Sequence, residues 1–145
     1  MNDSKLIHFK IDLPGFYFVF GPEGIYHGVG YYEASSESMD CLRSIILRRE
    51  KSFITVQKAY ESQDIFTLDG ARYKRTKFPN EPENLRTWLD LKNLNFGNRS
   101  TDFKMLYSPN LLQKLIDDFK LLKPMYDFIC TIEQRRKHDE NGGKN

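Results

Sequence analysis

Arg72, Lys74, Arg75 and Lys77 place four cations within six residues, with Tyr73 among them and Phe78 just beyond. Positive charge beside an aromatic face holds phosphate and gives a base a surface to stack on. Arg72, Tyr73, Lys74, Arg75 and Lys77 are therefore the candidate ligand-binding set, and the expected ligand is anionic. The same five residues also read as the solvated end of a strand. His27 lies inside a predicted strand, and a lone base needs a nucleophile or a carboxylate beside it. Its expected cross-strand neighbour, Val19, is neither, so His27 reads as a packed or tyrosine-bonded core residue. His8 falls at a strand end and His138 in a polar tail. Gly28-Val29-Gly30 leaves room for a ligand to approach the backbone. It lies within a strand, not at a strand-to-helix turn, and is no dinucleotide fingerprint. Asp117 and Asp118 leave a helix in different directions and form no dyad. Glu83 and Asp90 share a helix face but stand roughly 10 Å apart along its axis, too far to share one metal. No Cys/His spacing fits zinc. No catalytic residue, metal or cofactor is assigned, and the reading leans away from an enzyme.

The elements that would position these residues fit one domain. The chain has 145 residues, 39% hydrophobic and 14% aromatic, with a formal net charge of +2. That charge is too small to demand a nucleic-acid partner. No apolar run approaches the ~18 residues of a membrane span, so no membrane partner is expected. Met1-Asn2-Asp3-Ser4 leads into no apolar signal segment. With Cys41 and Cys130 read as reduced thiols rather than a disulfide, the expected compartment is the cytoplasm. Residues 1–136 are expected to form a single α+β domain, and 137–145 a disordered polar tail.

A strand over Leu6–Ile11 leads through Leu13-Pro14 into an aromatic hairpin, Gly15–Phe20 and Ile25–Tyr32, joined by Gly21-Pro22-Glu23-Gly24. A type I turn with Gly24 in a G1 bulge sets the register Phe16–Gly30, Phe18–Gly28 and Phe20–Tyr26. The phenylalanines then cover the glycines. Both faces are largely apolar, so the hairpin is expected to be central and covered on both sides. Ser35 or Ser36 caps a helix to about Arg49 with Met39, Leu42, Ile45 and Ile46 inward. Ser52 caps a second helix carrying Phe53, Val56 and Tyr60. Ile65–Tyr73 reads as a hairpin with an Asp69-Gly70 type I′ turn, pairing Phe66 with Tyr73 and Leu68 with Ala71. A helix from Glu81 to Leu91 buries Leu85, Trp88 and Leu91, and Leu94–Phe96 is a short strand. Ser108-Pro109 opens a helix to Lys123, and Pro124 starts another.

This order of elements resembles the second half of the domain of unknown function 2461 family, a set of conserved hypothetical proteins. The resemblance rests on Gly15-Phe16-Tyr17-Phe18 with Gly28-Val29-Gly30-Tyr31, and on Leu42-Arg43 with Ile45. It continues through Phe66 to Lys77, the Leu91-Lys92 region and Leu122-Lys123-Pro124-Met125-Tyr126-Asp127-Phe128. It implies an α+β fold: an antiparallel sheet with a central aromatic hairpin and helices packed mainly on one face. It implies no activity. Family members usually carry a further N-terminal helical half, so another chain is expected to complete the sheet.

Three functions stand open. The first is a non-catalytic binding or protein-interaction domain, completed by a partner or by self-association. The second is a nucleotide or nucleic-acid binder using the basic-aromatic strand end. The third is an enzyme with an unrecognised site.

Overall fold

Gly21 and Gly24 close the first hairpin around Pro22-Glu23 in the computed structural model, which describes residues 14–142. Gly24 takes φ 144°, and neither Pro22 nor Glu23 has positive φ. Gly24 thus stays in the ladder instead of forming the expected bulge, and the register slips by one residue. The pairs are Phe16–Val29, Tyr17–Gly28, Phe18–His27, Val19–Tyr26 and Phe20–Ile25. The expected Phe16–Gly30, Phe18–Gly28 and Phe20–Tyr26 pairs do not form. A one-residue slip exchanges faces. Here it gathers Phe16, Phe18 and Phe20 with Ile25, His27 and Val29, leaving Tyr17 and Tyr26 with the glycines on the opposite face.

The strands are β1 (Gly15–Gly21), β2 (Gly24–Gly30), β3 (Thr67–Leu68) and β4 (Asn95–Ser100), antiparallel in the order β1-β2-β4-β3. β2 is internal, while β1 is an edge among the described residues, with Phe16, Val19 and Phe20 exposed. Among the described residues, helices cover only the face that carries Ile25, His27 and Val29. The expected strand over Leu6–Ile11 lies outside the described residues.

The helices are α1 (Ser36–Leu47), α2 (Lys51–Glu61), α3 (Glu83–Leu89), α4 (Leu111–Leu121) and α5 (Lys123–Gly142). Their buried side chains meet Val29, Phe66 and Phe96 in one core, which makes this an α+β fold with helices on one sheet face. Ser35 caps α1 by accepting from the Ser38 amide at 3.1 Å. Ser52 caps nothing: α2 starts at Lys51, and the Ser52 hydroxyl is buried without a partner. Ser108 ends the 3-10 turn Phe103–Tyr107 and accepts from the Asn110 amide, so α4 begins two residues later than Pro109 suggests. Pro124 sits in the first turn of α5, where its missing N–H costs nothing. α5 runs on to Gly142, so 137–142 is helix where a tail was expected, supported by Arg136 Nη1 bonded to Glu140 at 2.9 Å. Cys41 and Cys130 are unbridged.

The largest correction concerns Ile65–Tyr73. Gly70 has no positive φ, as a type I′ turn would require. The segment bends at Gly70 and runs on, antiparallel to 90–97. Thr67 pairs with Gly97, Leu68 with Phe96 and Arg72 with Leu91. The Tyr73 amide bonds to the Asp90 carbonyl at 3.0 Å, and the Lys92 amide to the Ala71 carbonyl at 2.7 Å. A hairpin would have satisfied only local bonds. The long pairing also buries Phe66 in the core. Gly70 is needed because a Cβ there would lie 2.2 Å from the Asn93 carbonyl oxygen.

Candidate functional site

Pairing 71–73 with 90–92 brings three chain segments to one aromatic ring. Lys77 Nζ sits 4.0 Å from the centre of the Tyr73 ring, Lys92 Nζ 5.2 Å and Arg43 Cζ 5.7 Å. Attraction to the ring quadrupole accounts for each contact. Arg43 is held from α1: Nε donates to the Leu89 carbonyl at 3.0 Å, Nη2 to Leu91 at 2.8 Å and Nη1 to Asp40 at 3.0 Å. The first two acceptors lie at the end of α3 and just past it, where carbonyls lack helical partners. Arg43 thus locks this corner, with its own charge paired to Asp40. Lys77 and Lys92 are exposed and have no ion pair among the described residues, whereas Lys114 and Lys123 are paired with Asp118 and Asp127.

The five candidate residues do not converge. Tyr73 and Lys77 form the centre of the cluster. Arg72 is drawn to α3, where its Nη1 donates to the Thr87 carbonyl. Lys74 and Arg75 are exposed and make no hydrogen bond, ion pair or ring contact among the described residues. An open hollow of about 320 Å³ between Tyr73 and α3 is lined by Arg72 and Arg86 but also by Glu83 and Asp90. Its charges balance, so the cationic excess lies at the lysines.

The sequence reading missed Arg43 and Lys92. Arg43 stands one turn after Met39 and one before Ile46, at the margin of the α1 apolar stripe, where a long cation reaches backbone carbonyls. That signal was readable. Lys92 joins only through the long-range pairing, which leaves no local trace.

A family model described as conserved hypothetical protein (DUF2461) matches residues 6–128, most of the chain. The chain belongs to the DUF2461 family. No curated protein and no solved structure matches it. The match takes in Arg43, Tyr73, Lys77 and Lys92 of this DUF2461 member. Among its described residues no helix is long and apolar enough to cross a membrane.

His27 has a carboxylate partner after all: its Nε2–H donates to Asp118 Oδ2 at 2.9 Å, and Lys114 Nζ reaches the same oxygen at 3.1 Å. The pair is sealed, with side chains 3% and 6% exposed, among the rings of Phe18, Phe66 and Phe119. His27 Nδ1 is buried without a partner. Buried among the described residues, the pair tethers α4, whose one buried side chain is Asp118. Asp118→Ala is expected to cost about 1–3 kcal/mol, because it orphans His27 in the interior. Amide exchange over Leu111–Leu121 should accelerate before the core exchanges. Unchanged exchange there would refute the tether.

The opposite sheet face carries a second polar network. Tyr17 donates to Asn95 Oδ1 at 2.9 Å, Asn95 Nδ2 donates to the Tyr26 oxygen, and Tyr26 donates to Asp69 Oδ2 at 2.9 Å. Arg99 covers Tyr26 at 4.6 Å and pairs with Asp69 at 3.2 Å. The rings rest on glycines: a Cβ at Gly97 would come within 2.9 Å of both tyrosines. Tyr17, not the expected Phe18, covers Gly28, and Gly30 lies against Asn95 and Leu94 instead of under Phe16. Burial pushes the Tyr17, Tyr26 and Tyr31 hydroxyls above the ordinary tyrosine range. A folded value raised this way stabilises the fold fully below the unfolded pKa of about 10, and that contribution is lost as pH rises beyond it. Spectrophotometric titration should find these three silent until alkaline unfolding. Tyr17 or Tyr26 ionising like free tyrosine in the folded protein would contradict the network, and Tyr31 doing so would contradict its separate buried bond to Glu133 Oε2 at 2.8 Å.

Proposed function

We propose that this chain is a non-catalytic binding domain for an anionic partner, gripped at the Tyr73 corner. The observation carrying the reading is the convergence of Lys77, Lys92 and Arg43 on one ring, with neither lysine ammonium in an ion pair among the described residues; the Asp90 carboxylate accepts only from the Lys77 backbone amide, at 3.2 Å. Like charges brought together repel. An anion placed between them relieves that cost and releases the counterions it displaces.

Titrating a fluorescent single-stranded oligonucleotide tests the reading. Affinity should fall with salt at a log–log slope of about −0.7 per contacted phosphate. Lys77→Ala with Lys92→Ala should flatten that slope, and Tyr73→Leu should weaken binding by removing the seat of Lys77. Tyr73→Phe keeps the ring and should bind as the wild type does. Lys74→Ala with Arg75→Ala should change affinity less than the Lys77 and Lys92 pair. Equal binding by wild type and the Lys77/Lys92 variant would defeat the proposal.

A further inference from the structure

We infer that the unit recognised at the Tyr73 corner is a compact polyphosphate group and not a base, an inference that rests on the anion-binding reading above. A nucleic-acid site of the stacking kind needs an open aromatic face. The Tyr73 face is already taken, with Lys77 Nζ 4.0 Å from its centre and two further cations within 5.7 Å. The ring seats Lys77 here, and a base stacking on that side would have to displace it. Arg43 has spent donors on the Leu89 and Leu91 carbonyls and on Asp40, so it has no free fork for bidentate recognition. Its charge is met by Asp40 at 3.0 Å, so it positions the corner and adds little net potential. Direct contacts fall to two ammonium groups, which are compact point charges that read charge density and not shape. Both lie within 5.2 Å of the ring centre, so a chain of phosphates can reach both at once. The neighbouring hollow offers a base no better berth, because Glu83 and Asp90 line it beside the arginines.

The test is calorimetric titration of the full chain at low salt with tripolyphosphate, ATP, UTP and orthophosphate, alongside the oligonucleotide. Tripolyphosphate, ATP and UTP should bind within a factor of about 3 of one another, since a stacked base would separate them by roughly 5- to 150-fold. Orthophosphate should bind more weakly than all three. Lys77→Ala with Lys92→Ala should abolish binding, and Lys77→Arg with Lys92→Arg should restore it. Unchanged melting of both double variants excludes unfolding as the cause. If ATP or the oligonucleotide binds and tripolyphosphate does not, or if ATP and UTP differ more than tenfold, a base is read; the inference falls and the binding function stands. If no anion binds, or the alanine variant binds as the wild type does, both fall.

Discussion

Trp88→Ala is expected to cost about 3–5 kcal/mol, the range for deleting a large buried aromatic. Trp88 is 2% exposed and packs edge-on against Phe53 at 5.2 Å, Tyr60 at 5.5 Å, Phe96 at 5.7 Å and Phe128 at 6.4 Å. These rings come from α2, β4 and α5, so the indole joins the sheet to two helices and α3 to both. The loss bears directly on the site, because α3 delivers the Leu89 carbonyl that holds Arg43. Urea denaturation reads the cost as a lowered midpoint at constant slope. A loss below about 1 kcal/mol would mean that the core collapses around the gap.

Gly28→Ala is the second large effect. A Cβ at Gly28 would lie 2.0 Å from the Phe96 carbonyl oxygen and 2.9 Å from the Tyr17 hydroxyl. The tyrosine can swing away, but the carbonyl is β4 backbone and can move only if the two middle strands part. The cost should reach or exceed the upper end of the ~1–3 kcal/mol for ordinary overpacking. Gly15→Ala is the control, since nothing lies within 4 Å of a Cβ there. It should leave the urea midpoint nearly unchanged. Equal effects at the two positions would show that glycine's backbone freedom, and not close strand approach, is what Gly28 supplies.

Local chemistry carried much of the fold. The Ser35 cap and the stripe of Met39, Leu42, Ile45 and Ile46 mark α1, and Leu85, Trp88 and Leu91 are buried as their spacing implies. Errors arose where a local signal competed with a distant partner. Asp69-Gly70 has the composition of a tight turn, but pairing with 90–97 satisfies more backbone and buries Phe66. Gly24 suits a bulge, but the slipped register brings Ile25, His27 and Val29 to the phenylalanine face. His27 read as lacking a carboxylate because Asp118 lies 91 residues away in sequence. The site divided along the same line. Tyr73 and Lys77 were visible as a basic-aromatic run, while Arg43 and Lys92 arrive through tertiary structure, and Arg72 turns away toward Thr87.

Backbone amide chemical shifts followed during a titration with tripolyphosphate at low salt test the central claim most directly, because they locate the anion. Saturable shifts are expected to centre on Tyr73, Lys77 and Lys92 and to reach Arg43 through the Leu89 and Leu91 carbonyls it grips, with Lys74 and Arg75 moving less. Shifts centred on Lys74 and Arg75, shifts spread over every exposed cation, or no shifts at saturating anion would contradict it.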